Sequence, residues 1–354
     1  MIDKQVPKSS SSQPITIHDT LALALGLMPL GSQIFNSRTW QTLATWSLAL
    51  SLGLALRNLF LVNRRLTGTA LRPATVWAMV AVVCSIVAIV FADVEVPGRP
   101  RQAIFVHLAF LTMLASLVSV LGARKPGESA WALLCGVFLV IGLLPMLEGI
   151  GLAKRFDTLD RLRLESPWSY FLVLVIIAGA GNYLPTRYGF SALILGSGLG
   201  YHLSLLWKPD GRSEWRGDHW FVLPCSLAVS IAIGAILARR SRKYDPPMAF
   251  HRLWIPFRDA WGAAWALRVL ERVNQTAARN GWPERLTWFG LVDVPEMQTE
   301  SIGDGLRLES SSNPSEFEKG REAFANGVAL AATLTVFLKR FGDPETIRNL
   351  GHHE

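Results

Sequence analysis

From Thr75 to Ala92 the chain carries no charged residue, and from Trp220 to Ala238 it again carries none. Uncharged apolar runs of about 18–20 residues match an α-helix crossing a hydrocarbon core about 30 Å thick. Inside lipid the backbone must satisfy its own polar groups, and a helix does this within one segment. The runs therefore point to an all-α fold, a polytopic transmembrane helical bundle. Candidate spans fall at 18–36, 43–62, 75–92, 103–122, 130–152, 168–186, 189–207 and 220–238. The first is the doubtful one. It opens at His18 and Asp19 and contains Pro29 and Gly31, so a re-entrant or interfacial helix is its alternative, which leaves seven spans.

Composition agrees with this class. Of 354 residues 50% are hydrophobic and 18% charged, against about 25% charged in soluble domains. The 13 Trp suit membrane interfaces, where the ring is half apolar and its N–H meets water. The net charge of +8 sits in short loops beside apolar runs, which reads as topology signals and not as a nucleic-acid surface. Cys84, Cys135 and Cys225 all lie inside apolar runs, so a disulfide framework or cysteine zinc site is not expected.

The chain divides into three parts. Residues 1–17 read as a disordered leader, with the Ser9–Ser12 run and no apolar core suited to a cleavable signal. Residues 18–238 form the bundle, and residues 239–354 a cytoplasmic, membrane-proximal helical tail. Arg239, Arg240, Arg242 and Lys243 place the end of the last span on the cytoplasmic side. Counting back puts Arg64, Arg65, Arg72, Arg124, Lys125 and Arg187 on that side too, with both termini cytoplasmic and the plasma (inner) membrane as the expected location. The opposite loops carry Lys and Arg interleaved with acids, so the bias is modest.

Small residues cluster in two spans: Gly179 and Gly181 in the sixth, and Gly196, Gly198 and Gly200 in the seventh. They allow close helix approach where no hydrophobic force draws helices together. Asn182-Tyr183-Leu184-Pro185 then makes a tight hairpin between these spans, either a packing turn or a functional break.

In the tail, Pro246-Pro247 stops the last span. A helix is expected over 256–279, with Phe257, Trp261, Trp265, Val269 and Val273 recurring every four residues on one stripe. Two readings stay open. Trp254, Phe257, Trp261 and Trp265 anchor an amphipathic helix in the membrane interface, or the helix packs on its own small domain. Residues 298–315 read as a polar linker. A final helix starts near Pro314 and ends before Gly342; its apolar part, Val328 to Leu338, is short for a ninth span. No internal repeat is visible.

Ionisable residues within spans are costly and so carry functional expectations. His107, Glu148 and His202 all fall about one to two turns from the outer ends of their spans. They form a candidate outer-face polar site for a divalent metal, a haem or a proton path. The alternative is that each side chain reaches nearby headgroups. No cofactor is otherwise expected.

Trp261-Gly262-Ala263-Ala264-Trp265 is similar to a fragment of the Trp-rich motif of haem-handling cytochrome c assembly proteins. That motif has Trp and Asp where this chain has Leu267 and Arg268, so membership is not inferred. The chain has no phosphate-binding Gly-x-x-x-x-Gly-Lys-Ser/Thr loop and no His-Glu-x-x-His. Ser197 lacks the first glycine of a nucleophile turn. His352-His353-Glu354 reads as an unstructured end. The sequence thus favours a non-enzymatic, transporter-like or accessory membrane component. The lipid bilayer is its partner, residues 239–354 offer a docking surface for other membrane or cytoplasmic proteins, and no nucleic acid is involved. A redox, haem or metal-handling membrane protein is the alternative.

Overall fold

The structure is a computed structural model that describes residues 17–32, 38–94, 101–124, 129–156, 166–206, 220–241, 249–293 and 316–349. The leader before Ile17, the linker at 298–315 and His352-His353-Glu354 lie outside the described residues. The chain is helical throughout the bundle: α1 Ile17–Ser32, α2 Arg38–Arg65, α3 Arg72–Val94, α4 Arg101–Leu121, α5 Ser129–Phe156, α6 Ser166–Gly181, α7 Gly189–Leu206 and α8 Val222–Ser241. Among the described residues five segments are long and apolar enough to cross a membrane: Thr39–Arg65, Arg72–Phe91, Ile104–Leu121, Gly189–Leu206 and Val222–Arg240. Leu133–Leu144 in α5 and Pro167–Gly181 in α6 are shorter apolar stretches.

Exposure supports a membrane setting independently of length. Trp46, Leu133, Leu174, Ile177 and Phe190 are each more than 60% exposed on the bundle's flank. Returning each to an apolar medium is worth about 2–3 kcal/mol.

The doubtful first helix packs along α2 and α8. Ser51 and Ser47 of α2 donate to the carbonyls of Ala22 and Leu25, at 2.7 and 3.3 Å. The first helix is therefore part of the bundle's packing, held along two neighbours. With 16 residues, α1 is about 24 Å long.

Two of the small-residue clusters sit at contacts, though not every glycine does. A Cβ on Gly198 would meet Ser226 Oγ of α8 at 1.9 Å, and one on Gly179 would meet Leu117 Cβ of α4 at 2.6 Å. Gly181 and Gly200 face open space. Beside Gly198, Ser191 of α7 and Ser230 of α8 bond reciprocally to each other's carbonyls at 2.6 and 3.0 Å. Such exchanges hold helices together in lipid.

The tail contains α9 Ala249–Arg279, a hairpin of β1 Glu284–Thr287 and β2 Gly290–Asp293, α10 Glu316–Leu338 and α11 Pro344–Asn349. The hairpin qualifies the all-α expectation. It is antiparallel, with Leu286 opposite Leu291, and Asn274 of α9 fixes its register. The Asn274 amide accepts from Leu286 N at 2.7 Å and donates to Leu286 O at 2.8 Å, like an extra strand.

The expected aromatic stripe exists, but its surroundings overturn the membrane-anchor reading. Trp254, Phe257 and Trp261 are fully buried, and Trp265 nearly so. They pack with Leu330, Leu334 and Leu338 of α10, Ile347 of α11 and Phe341 between those helices. Phe341 lies 5.0 Å from Phe257, 5.9 Å from Trp261 and 5.3 Å from Trp265, ring to ring, at edge-on angles. Side chains enclosed by protein cannot touch headgroups. The same contacts dock α10 on α9. This core continues without a gap into Leu66, Ala70 and Leu71 of the α2–α3 turn and Val120 at the end of α4.

Candidate functional site

Two constellations of buried polar groups lie at opposite ends of the bundle. The first brings together two of the three expected site residues. His107 on α4 and His202 on α7 are buried in the core, with ring centroids 6.0 Å apart and planes tilted by 34°. Phe110, one turn beyond His107, packs on both rings at 5.9 and 4.8 Å. His107 Nε2 lies 3.3 Å from the Gly142 carbonyl of α5, while its Nδ1 makes no hydrogen bond. The imidazoles therefore point inward, and neither reaches for headgroups. Glu148 lies on α5, six residues past Gly142, and its side chain is outside the described residues. Among the described residues no group of three His, Cys, Asp or Glu converges. Two imidazoles alone fall short of the three or four ligands a zinc site uses.

The second constellation joins the tail to the opposite end. It is built around the α6–α7 turn and a break in α9 at Gly262. Gly262 has φ 76° and ψ −173°, so α9 is two helices meeting at a left-handed residue. Asn182 fills the break. Its Nδ2 donates to Trp261 O at 3.1 Å, ending the first helix, and its Oδ1 accepts from Ala264 N at 2.7 Å, starting the second. The Asn182 backbone carbonyl accepts from Ala263 N at 2.7 Å. One residue of the membrane bundle thus caps both halves of a tail helix, satisfying groups that a helix end leaves open. A Cβ at Gly262 would meet Asn182 Nδ2 at 2.2 Å, which closes the position to any other residue.

Neighbours of Asn182 extend the contact. Tyr183 donates its hydroxyl to Ala260 O at 3.0 Å. Arg187 pairs with the buried Asp259 at 3.2 Å, out of line for a hydrogen bond. Arg258 donates twice to the same carboxylate, at 3.0 and 2.9 Å, and once to Trp288 O at 2.9 Å. Trp288 Nε1 donates to Pro185 O at 3.1 Å and Trp265 Nε1 to Val120 O at 3.1 Å. The α2–α3 turn joins in through Ala70 N, which donates to Phe341 O at 2.9 Å. All these partners lie at one end of the bundle, where the basic turns are.

At that same end α1 begins on a buried carboxylate. Asp19 pairs with Arg239 at the end of α8 and accepts from Asn58 Nδ2 at 3.4 Å. The pair ties the first helix to the last. In the sequence, Asp19 at the opening of the first span is a reason to doubt that span; the signal for the pair is one acid at the edge of an apolar segment, with Arg239 just past the last apolar run. In the sequence Asn182 belongs to a turn, with nothing local to show that it caps a helix about 80 residues away. Comparison with protein-family models, with curated proteins and with solved structures finds no match to this chain.

Proposed function

We propose that this chain is a multi-pass, non-enzymatic membrane component, accessory or transporter-like. It would have eight spans and a cytoplasmic helical tail locked over the inner end of its bundle. The observation that carries the reading is the Asn182 cap on the broken α9 helix. It makes the tail and the α6–α7 hairpin one mechanical unit, so an event at either is felt by the other. In this topology α1, α5 and α6 supply the three spans beyond the five long apolar helices. Arg64, Arg65 and Arg124 are exposed at the end the tail covers, as the positive-inside rule expects of the cytoplasmic side. The membrane would be the plasma (inner) membrane, and the tail's outer surface would offer the docking face for protein partners.

A second reading rests on the 6.0 Å approach of His107 and His202. With Glu148 as a further donor, this pair would handle a metal or haem at the outer face. Absorption spectra and metal analysis of the protein purified in detergent separate the two. A colourless, metal-free protein whose fold survives His107→Leu with His202→Leu supports the first. A stoichiometric haem or metal that is lost in either single variant overturns it in favour of the second.

A further inference from the structure

The tail's most exposed large apolar side chain is not on its amphipathic helix but at the tip of its hairpin. Phe289 is 81% exposed, the highest value for any large hydrophobic residue among those described. Leaving a Phe in water forgoes about 2–3 kcal/mol of burial, and a tight turn needs no aromatic there. The position of the tip supplies a reason. Trp288, the adjacent residue, donates its indole N–H to Pro185 O in the α6–α7 turn. This turn is where the bundle's exposed apolar flank begins: Leu184, Phe190 and Leu193 are 52%, 62% and 54% exposed. Phe289 follows Trp288 in the turn, and the Trp288 bond tethers the hairpin tip to the turn where that flank begins.

We propose that Phe289 seats the hairpin tip in the lipid interface of the adjacent leaflet. The tail would be held to the membrane by a β-turn and not by its aromatic helix stripe. Phe289 would dip into the headgroup boundary while Trp288 stays bonded to the turn. The exposed Arg64, Arg65 and Arg124 at the same end favour anionic headgroups. The proposal rests on the bundle spanning the membrane, and the test keeps the two apart.

The full chain is placed in nanodiscs containing anionic lipid, with a single NBD fluorophore at Phe289→Cys, Leu193→Cys or Arg348→Cys. Each is quenched in turn by nitroxide-bearing lipid and by aqueous iodide. Lipid-borne quenching of position 289 matching that of position 193 within about twofold, with iodide quenching several-fold below that of position 348, is the expected result. Quenching of position 289 like position 348, while 193 still meets lipid, overturns the proposal and leaves the spanning bundle intact. Shielding of 289 from both quenchers shows a protein covering the tip, from a second copy or another chain, and also overturns it. Loss of lipid quenching at 193 as well sinks the spanning bundle and the proposal with it.

Discussion

Gly262 and Asn182 show how much can rest on single side chains. Gly262→Ala forces a left-handed φ on a β-carbon and drives it into the Asn182 amide. The cost is expected to be about 2 kcal/mol or more, combining backbone strain with a broken cap. Asn182→Ala leaves Trp261 O and Ala264 N without their partner and should cost about 2–4 kcal/mol. Both variants should loosen the tail without unfolding the bundle, read as faster amide hydrogen exchange in 249–293 and unchanged exchange in α3 and α4. Glu284 predicts the opposite sign. Its carboxylate is buried and neither oxygen is hydrogen-bonded. Glu284→Met removes that desolvation cost and keeps the volume, so thermal unfolding of the tail should shift upward by a few degrees. The sequence shows that Gly262 and Asn182 exist, but their meeting is set by tertiary placement and has no local signature. His107 and His202 are legible in the sequence as ionisable groups within apolar runs; that α4 and α7 turn them toward each other is not.

At the scale of elements, the amphipathic pattern of α9 correctly marks the face that is buried but not what buries it. The stripe from Phe257 to Val273 fits lipid and protein equally, and only the leucines of α10 at Leu330, Leu334 and Leu338 decide between them. The hairpin has little sequence signature because its alternation is short and its register is held by Asn274, a helix residue. His251 adds a pH dependence to this element. Its ring lies against Gly290, and burial holds its pKa below the ordinary value of 6.5. The detached state then binds more protons than the docked one as pH falls below about 6.5, so hairpin docking weakens with acid and is regained as pH rises. Trp288 emission followed from pH 7.5 to 5 should show this loss in wild type and little of it in His251→Phe. Among the bundle helices, α1 is tied to α8 by Asp19 and Arg239. Asp19→Ala removes the buried carboxylate that faces the Arg239 guanidinium and should cost about 2–4 kcal/mol. Adding Arg239→Gln should recover part of it, as a double-mutant cycle in detergent would measure.

For the whole molecule, long uncharged runs made the helical bundle legible from the sequence, because lipid admits few ways to satisfy a backbone. The docking of the tail was not, since it depends on turns about 70 to 270 residues away in the chain. The described tail–bundle contacts come from the α2–α3 turn, the end of α4 and the α6–α7 turn, all at one end of the bundle. The central claim is that this covered end faces the cytoplasm and the opposite loops face out. Labelling with a membrane-impermeant maleimide in intact cells tests it directly, using Asp160→Cys and Lys243→Cys in separate variants. The account predicts labelling at position 160 without permeabilisation and at position 243 only after it. Equal labelling of the two in intact cells, or labelling of 243 alone, would contradict it.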